Sequence, residues 1–127
     1  MRLLLDTHAL IWHYEAHDDL SEEARKLIDA PDNQLFISIA SLWEMVIKVS
    51  LGKLTLRKDV QTITAIYQNA GAKLLPVHLE HILAVQTLPW FHRDPFDRLL
   101  VAQAIYEDLV LISHDHKFNQ YPVSRRW

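Results

Sequence analysis

The chain has 127 residues, 50% of them apolar and 23% charged, with two glycines, five prolines, no cysteine and a net charge of −3. This composition excludes intrinsic disorder, a disulfide scaffold, a thiolate zinc site and a cysteine nucleophile, and the length suits one domain, residues 1–127, whose core needs no staples. No apolar run approaches the ~20 residues of a membrane helix, and the opening Met1 to Leu5 meets Asp6 too soon for a signal peptide, so a cytoplasmic protein with no membrane segment is expected.

The first element is a short apolar run, Arg2 to Leu5, that stops at an acid; residues 34–38, 73–77 and 109–113 repeat the pattern. Continuous runs of this kind suit strands buried on both faces. Asp6 stands where it can cap a helix that follows the first run. Ser21 predicts a second helix start, with Glu22 and Glu23 in the first turn and Ala24, Leu27 and Ile28 on one face. Over residues 41–51, Leu42, Met45, Val46 and Val49 share a face, Gly52 follows as a C-cap, and Glu44 can close a capping box with Ser41. Residues 59–69 repeat the logic with Val60, Ile63, Ile66 and Tyr67, closed by Gly71, and a further helix over about 79–88 stops before Pro89. The clearest helix start is Asp94-Pro95-Phe96-Asp97, an acidic cap, a proline in the first turn and a second acid three residues on, leading to about Asp108. Strands alternating with helices predict an α/β fold with a mostly parallel sheet and helices on both faces.

Ligands of open parallel sheets bind beyond the carboxyl ends of the strands. Asp6 directly follows the first strand, Glu44 lies one turn into the helix after the second, Asp94 and Asp97 open the helix before the last clear strand, and Asp115 lies two residues beyond that strand. All five are expected at one edge. Two like charges 4 Å apart repel by about 4 kcal/mol at an effective dielectric of 20, so such a cluster calls for a cation. Hard divalent ions take oxygen ligands, and one or two of them can activate water and stabilise the leaving oxygen of a phosphodiester, which points to hydrolysis of a nucleic-acid backbone. There is no Gly-rich phosphate loop, no Gly-x-Ser-x-Gly and no His-Glu-x-x-His to support a rival chemistry.

Other polar residues read less specifically. Asp6 and Asp94 also suit plain helix caps, and Asp115 suits the start of a turn. His8, His114 and His116 lie near the acids without the spacing of a zinc clamp, and His92 and His114, which could touch substrate phosphates, read first as solvent-facing loop residues. Trp12, Trp43 and Trp90 suit a core or a partner interface. Residues 1–35 carry three basic and eight acidic side chains, against ten and eight over residues 36–127, so an anion would meet a local patch. The candidates are Lys48, Lys53, Arg57 and Lys58, and then Arg93, Arg98, Lys117, Arg125 and Arg126.

The stretches Leu3-Leu-Leu-Asp6-Thr7-His8, Ser38-Ile-Ala-Ser41-Leu-Trp-Glu44, His92-Arg-Asp-Pro-Phe-Asp97-Arg-Leu-Leu-Val-Ala-Gln and Leu111-Ile-Ser-His-Asp115 carry a resemblance. In order and spacing, over essentially the whole length, the chain resembles PIN domains, and among them the toxin ribonucleases of VapBC toxin–antitoxin modules. The resemblance implies a three-layer α/β/α domain with a twisted parallel sheet in strand order 3-2-1-4-5 and an endoribonuclease dependent on Mg²⁺ or Mn²⁺. It assigns Asp6, Glu44, Asp97 and Asp115 to catalysis and metal binding, Thr7 to support of the metal or its water, and Asp94 to capping or indirect support. His114 departs from the family pattern, which often has Thr or Ser before the last acid. The resemblance further implies an RNA substrate, a homodimer and inhibition by a cognate antitoxin lying in the acidic groove. Two rivals fit less well. A catalytically silent PIN-fold module that binds RNA or protein need not keep four mutually repelling acids, and a receiver-type phosphoacceptor needs a second acid beside Asp6.

Overall fold

Leu3, Leu4 and Leu5 are all fully buried, and their alternation along the first strand sorts the molecule into layers. The computed structural model describes residues 1–127. Strands β1 (Arg2–Leu5), β2 (Gln34–Ser38), β3 (Lys73–Leu75), β4 (Val110–Ile112) and β5 (Arg125–Arg126) form one sheet in the order β3-β2-β1-β4-β5. Every neighbouring pair is parallel, with Leu4 of β1 opposite Phe36 on one side and Leu111 on the other. This is the three-layer arrangement and the strand order expected from the resemblance.

Helices α1 (Thr7–Tyr14), α2 (Glu22–Asp29), α3 (Ile39–Ser50) and α4 (Val60–Asn69) pack Leu10, Ala24, Met45 and Ile63 against Leu3 and Leu5. On the opposite face, α6 (Pro95–Tyr106) brings Leu100, Val101 and Ala104 onto Leu4, together with Phe118 from a short 3₁₀ helix (His116–Gln120). The remaining helix, α5 (Leu79–Thr87), packs against α6. None of the helices is long and apolar enough to cross a membrane.

Several boundaries differ from the sequence reading, each for a local reason. Ser38, not Ser41, caps α3: its Oγ accepts the Ala40 amide at 3.1 Å, so the cap lies three residues earlier than predicted and the helix begins at Ile39. That early start frees Glu44 from the expected capping box. With β2 ending at its cap, β3 has no partner beyond Leu75, and the next residue, Pro76, has no N–H to offer a ladder. β4 begins only at Val110, because the Leu109 amide closes α6 on the Ala104 carbonyl at 2.8 Å. The two-residue β5 has no apolar pattern to announce it; it is recruited as an edge strand through Leu111 N–H to Ser124 O and Ser113 N–H to Arg126 O. Ser21 and Asp94 cap α2 and α6 as predicted, Asp59 caps α4, and Gly52 ends α3 with φ +71°, a conformation side chains with a Cβ disfavour.

Truncating Leu4, which meets atoms on the α6 side and none of the solvent, is expected to lower the unfolding free energy by about 2–5 kcal/mol in Leu4→Ala. Urea denaturation checks this, and a loss below about 1 kcal/mol would contradict the placement of β1 at the centre of the sheet.

Candidate metal centre

The carboxyl edge of the sheet collects all five acids singled out above, each delivered by a different local device. Asp6 leaves β1 directly, its amide held by the Ile112 carbonyl at 3.0 Å and its Oδ1 accepting the Ala9 amide at 2.7 Å as the cap of α1. It is buried, which pushes its carboxyl well above the usual carboxylate range against the opposing pull of the Ser113 hydroxyl, the Ala9 amide, His8 and His114. Glu44, buried one turn inside α3, has both oxygens engaged: Thr7 Oγ1 donates to Oε1 at 2.6 Å, and Lys48 Nζ lies 3.0 Å from Oε2. Thr7 therefore ties the residue after Asp6 to the acid of a different helix.

Asp94 caps α6, its Oδ1 accepting the Asp97 amide at 3.0 Å. The Asp97 carboxylate does not complete a reciprocal box; its Oδ2 lies 3.0 Å from His92 Nε2. The same nitrogen lies 2.9 Å from Asp115 Oδ2, while Asp115 Oδ1 accepts the Lys117 amide at 2.9 Å and caps the 3₁₀ helix. Asp97 is pushed up to about 8, first by burial and then by the negative charges of Asp94, Asp6, Glu44 and Asp115. That all four act on it places the five acids within one electrostatic neighbourhood. At Asp115 burial also pushes upward, but the Lys117 amide and His92 outweigh it and hold this carboxyl below its ordinary value. Two acids sharing one histidine are thus driven in opposite directions.

His92, Asp97 and Asp115 each present a ligand atom within 4.8 Å of the others, a set of side chains that could hold a metal ion. The donors fit a hard divalent cation: they are mainly carboxylate oxygens, and a positive ion offsets the negative charges that add to burial in raising Asp97.

Two residues at this edge were misread from sequence. His92 is not a solvent-facing loop residue. It is buried, stacked on Phe118 with ring centroids 5.4 Å apart at 20°, and its Nδ1 accepts the Asp94 amide at 3.2 Å. A histidine two residues before an N-cap was the one local hint, because that spacing lets the ring accept the cap's own amide; its bridging of Asp97 and Asp115 needs the folded chain. Arg98 is not an anion-facing group. Only 3% exposed, it donates to the carbonyls of Pro89, Val85 and Leu88 at 2.8, 3.1 and 3.2 Å and stacks on Trp90 at 3.8 Å. Arg57 and Arg126 are likewise committed, to Glu15 and Glu23. His114 packs edge-on against Trp12. Trp43 and Trp90 lie on the surface, 61% and 75% exposed, and Trp43 lines an apolar groove of about 330 Å³ with Ile82, Val85, Pro95, Phe96 and Leu99.

The fold recurs in solved toxin–antitoxin structures. VapBC2 from Rickettsia felis, bound to a DNA fragment from its promoter, has a chain that superposes with TM-score 0.75 at 17% identity, covering 100% of this chain and 99% of that one. VapBC-1 from nontypeable Haemophilus influenzae matches with TM-score 0.68 at 19% identity, covering 99% and 97%. The Mycobacterium tuberculosis toxin VapC20, described as cleaving the Sarcin-Ricin loop, matches with TM-score 0.70 at 13% identity, covering 95% of each chain. No curated protein sequence matches the chain. Residues 3–123, nearly the whole length, match the family described as PIN domain, and with its acids at the carboxyl edge of a 3-2-1-4-5 sheet the chain belongs to the PIN domain family.

Proposed function

We propose that the chain is the toxin of a VapBC-type module, a divalent-metal-dependent endoribonuclease in which Asp6, Glu44, Asp97 and Asp115 hold one or two Mg²⁺ or Mn²⁺ ions. The observation that carries this reading is geometric: Asp97 and Asp115 meet at His92 with ligand atoms within 4.8 Å of one another, and the charges of Asp94, Asp6, Glu44 and Asp115 add to burial in pushing Asp97 up to about 8. A purely structural cluster gains nothing from such repulsion. When bound, the ion supplies a Lewis acid that makes water a better nucleophile and offsets charge on the scissile phosphate. The chain's own groups set the stage. Thr7 and Lys48 fix the two oxygens of Glu44, and Lys48 adds a positive charge beside the acids where an RNA phosphate would approach. Asp97 stands in the first turn of α6, where the helix dipole favours an anion. No protein nucleophile is required.

The toxin–antitoxin complexes that share this fold support a cognate antitoxin as partner, and the proposal places that antitoxin in the acidic groove and the pair in the cytoplasm. A homodimer through the apolar face of α3, α5 and α6 accounts for the exposure of Trp43, Ile82 and Leu83.

Brief expression followed by sequencing of RNA ends tests the activity: the wild type is expected to produce discrete new 5′ ends that Asp6→Asn does not. In purified protein, Asp6→Asn and Asp97→Asn should each lower RNA cleavage at least ~100-fold with the far-UV spectrum unchanged, since asparagine still caps α1 in place of Asp6. Asp94→Asn should stay within about tenfold, because it too keeps its cap. Full cleavage by the first two variants would remove the assignment.

Stability without metal carries a second signature. Folded Asp97 keeps its proton up to about pH 8, whereas in the unfolded chain it ionises near 3.8. Between those values the native state binds more protons than the unfolded state, so stability falls as pH rises. In chelator, the melting temperature is expected to drop from pH 5 to pH 8 in the wild type and to drop less in Asp97→Asn. Mg²⁺ should restore the wild type at pH 8 and leave the variant nearly unmoved; identical pH profiles for the two proteins would count against the shared-charge reading.

A further inference from the structure

His92 occupies the middle of the acid cluster, and its hydrogen bonds determine which nitrogen carries the proton. The Asp94 amide donates to Nδ1 at 3.2 Å, so Nδ1 is an acceptor and the proton of the neutral ring sits on Nε2. Nε2 faces Asp97 Oδ2 at 3.0 Å and Asp115 Oδ2 at 2.9 Å, both acceptors. A histidine that binds a metal through one nitrogen ordinarily donates an N–H from the other to a carbonyl or carboxylate. Here the other nitrogen meets an N–H, so ligation through Nε2 would set two donors against each other.

We propose that His92 is a positioning residue that stays outside the ion's coordination sphere and, through a single shared N–H, holds Asp97 and Asp115 side by side as a pair that receives the cation. The inference rests on the metal reading of this site and adds to it a residue outside the acid set. The ring and the backbone that carries it are held by three contacts. Phe118 stacks against one face, the Asp94 amide holds Nδ1, and the His92 amide donates to Tyr121 Oη at 2.9 Å. Tyr121 in turn donates to the Pro89 carbonyl at 2.8 Å, and Arg98 binds the carbonyls of Val85, Leu88 and Pro89, so the segment that carries His92 is anchored along its length. Arg98 immediately follows Asp97 on α6, which makes one helix both the source of an acid and the anchor of the histidine that orients it.

The test measures Mn²⁺ binding by electron paramagnetic resonance on the full chain, with His92→Ala and His92→Gln, and with the melting temperature of each variant as a check on folding. Loss of an indirect partner of this kind weakens metal binding about 10- to 100-fold. His92→Ala is expected to weaken Mn²⁺ binding by that factor, and His92→Gln, which can return an N–H near the position of Nε2, should recover most of it. The wild-type spectrum should contain no coupling from a directly bound nitrogen that disappears in His92→Ala. Such a coupling would make His92 a ligand and overturn the proposal, as would unchanged or tighter binding by His92→Ala, or a glutamine variant as weak as the alanine one. Absence of any Mn²⁺ binding by the folded wild type would overturn the metal reading itself, and this inference with it.

Discussion

Like charges gather in a protein only where the backbone leaves them no alternative, and here the constraint is the double-sided burial of β1. Because Leu3 and Leu5 pack on one face and Leu4 on the other, the strand cannot shift by a residue without exchanging its two cores. Asp6 is therefore held at one depth and one edge. β2 and β4 flank β1 in parallel, so the connections that follow all three strands emerge at that same edge, and Glu44 and Asp115 arrive with them. The repulsion among the acids is a consequence of a sheet register set by apolar contact.

The acids also serve the fold that crowds them. Asp6, Asp94 and Asp115 each accept a backbone amide at the start of a helix or helical turn. In each case one oxygen is engaged by the cap, and for Asp115 the other turns to His92. Positive helix ends partly offset the charge, which is how several carboxylates can share a small volume before any cation arrives. Structural and chemical roles are divided between the two oxygens of one side chain, so the choice between cap and ligand that each acid presents in isolation does not have to be made.

Much of this was legible in the residues. The apolar runs gave four strands, the caps at Ser21 and Asp94 gave two helix starts, and the rule about strand ends brought the five acids together. What escaped was whatever depends on contact between distant segments. β5 has no pattern of its own and exists because β4 offers an open edge. Ser38 caps α3 in place of Ser41 because the strand that pairs with β1 and β3 ends there, with its hydroxyl on the Ala40 amide. His92 and Arg98 sit in sequence among charged loop residues and look solvated. Their burial follows from Phe118, Tyr121 and the carbonyls of residues 85–89, groups that a linear reading does not place beside them.

Arg98 has one consequence for how the molecule responds to its medium. Its charge meets the dipoles of carbonyl groups and the face of an indole, with no carboxylate opposite it. A buried cation among carbonyls is poorly screened by mobile ions. Ionic strength should therefore loosen ion pairs at the surface while leaving the loop beneath them seated, so that, on the reading proposed above, salt would release a polyanion without dismantling the centre.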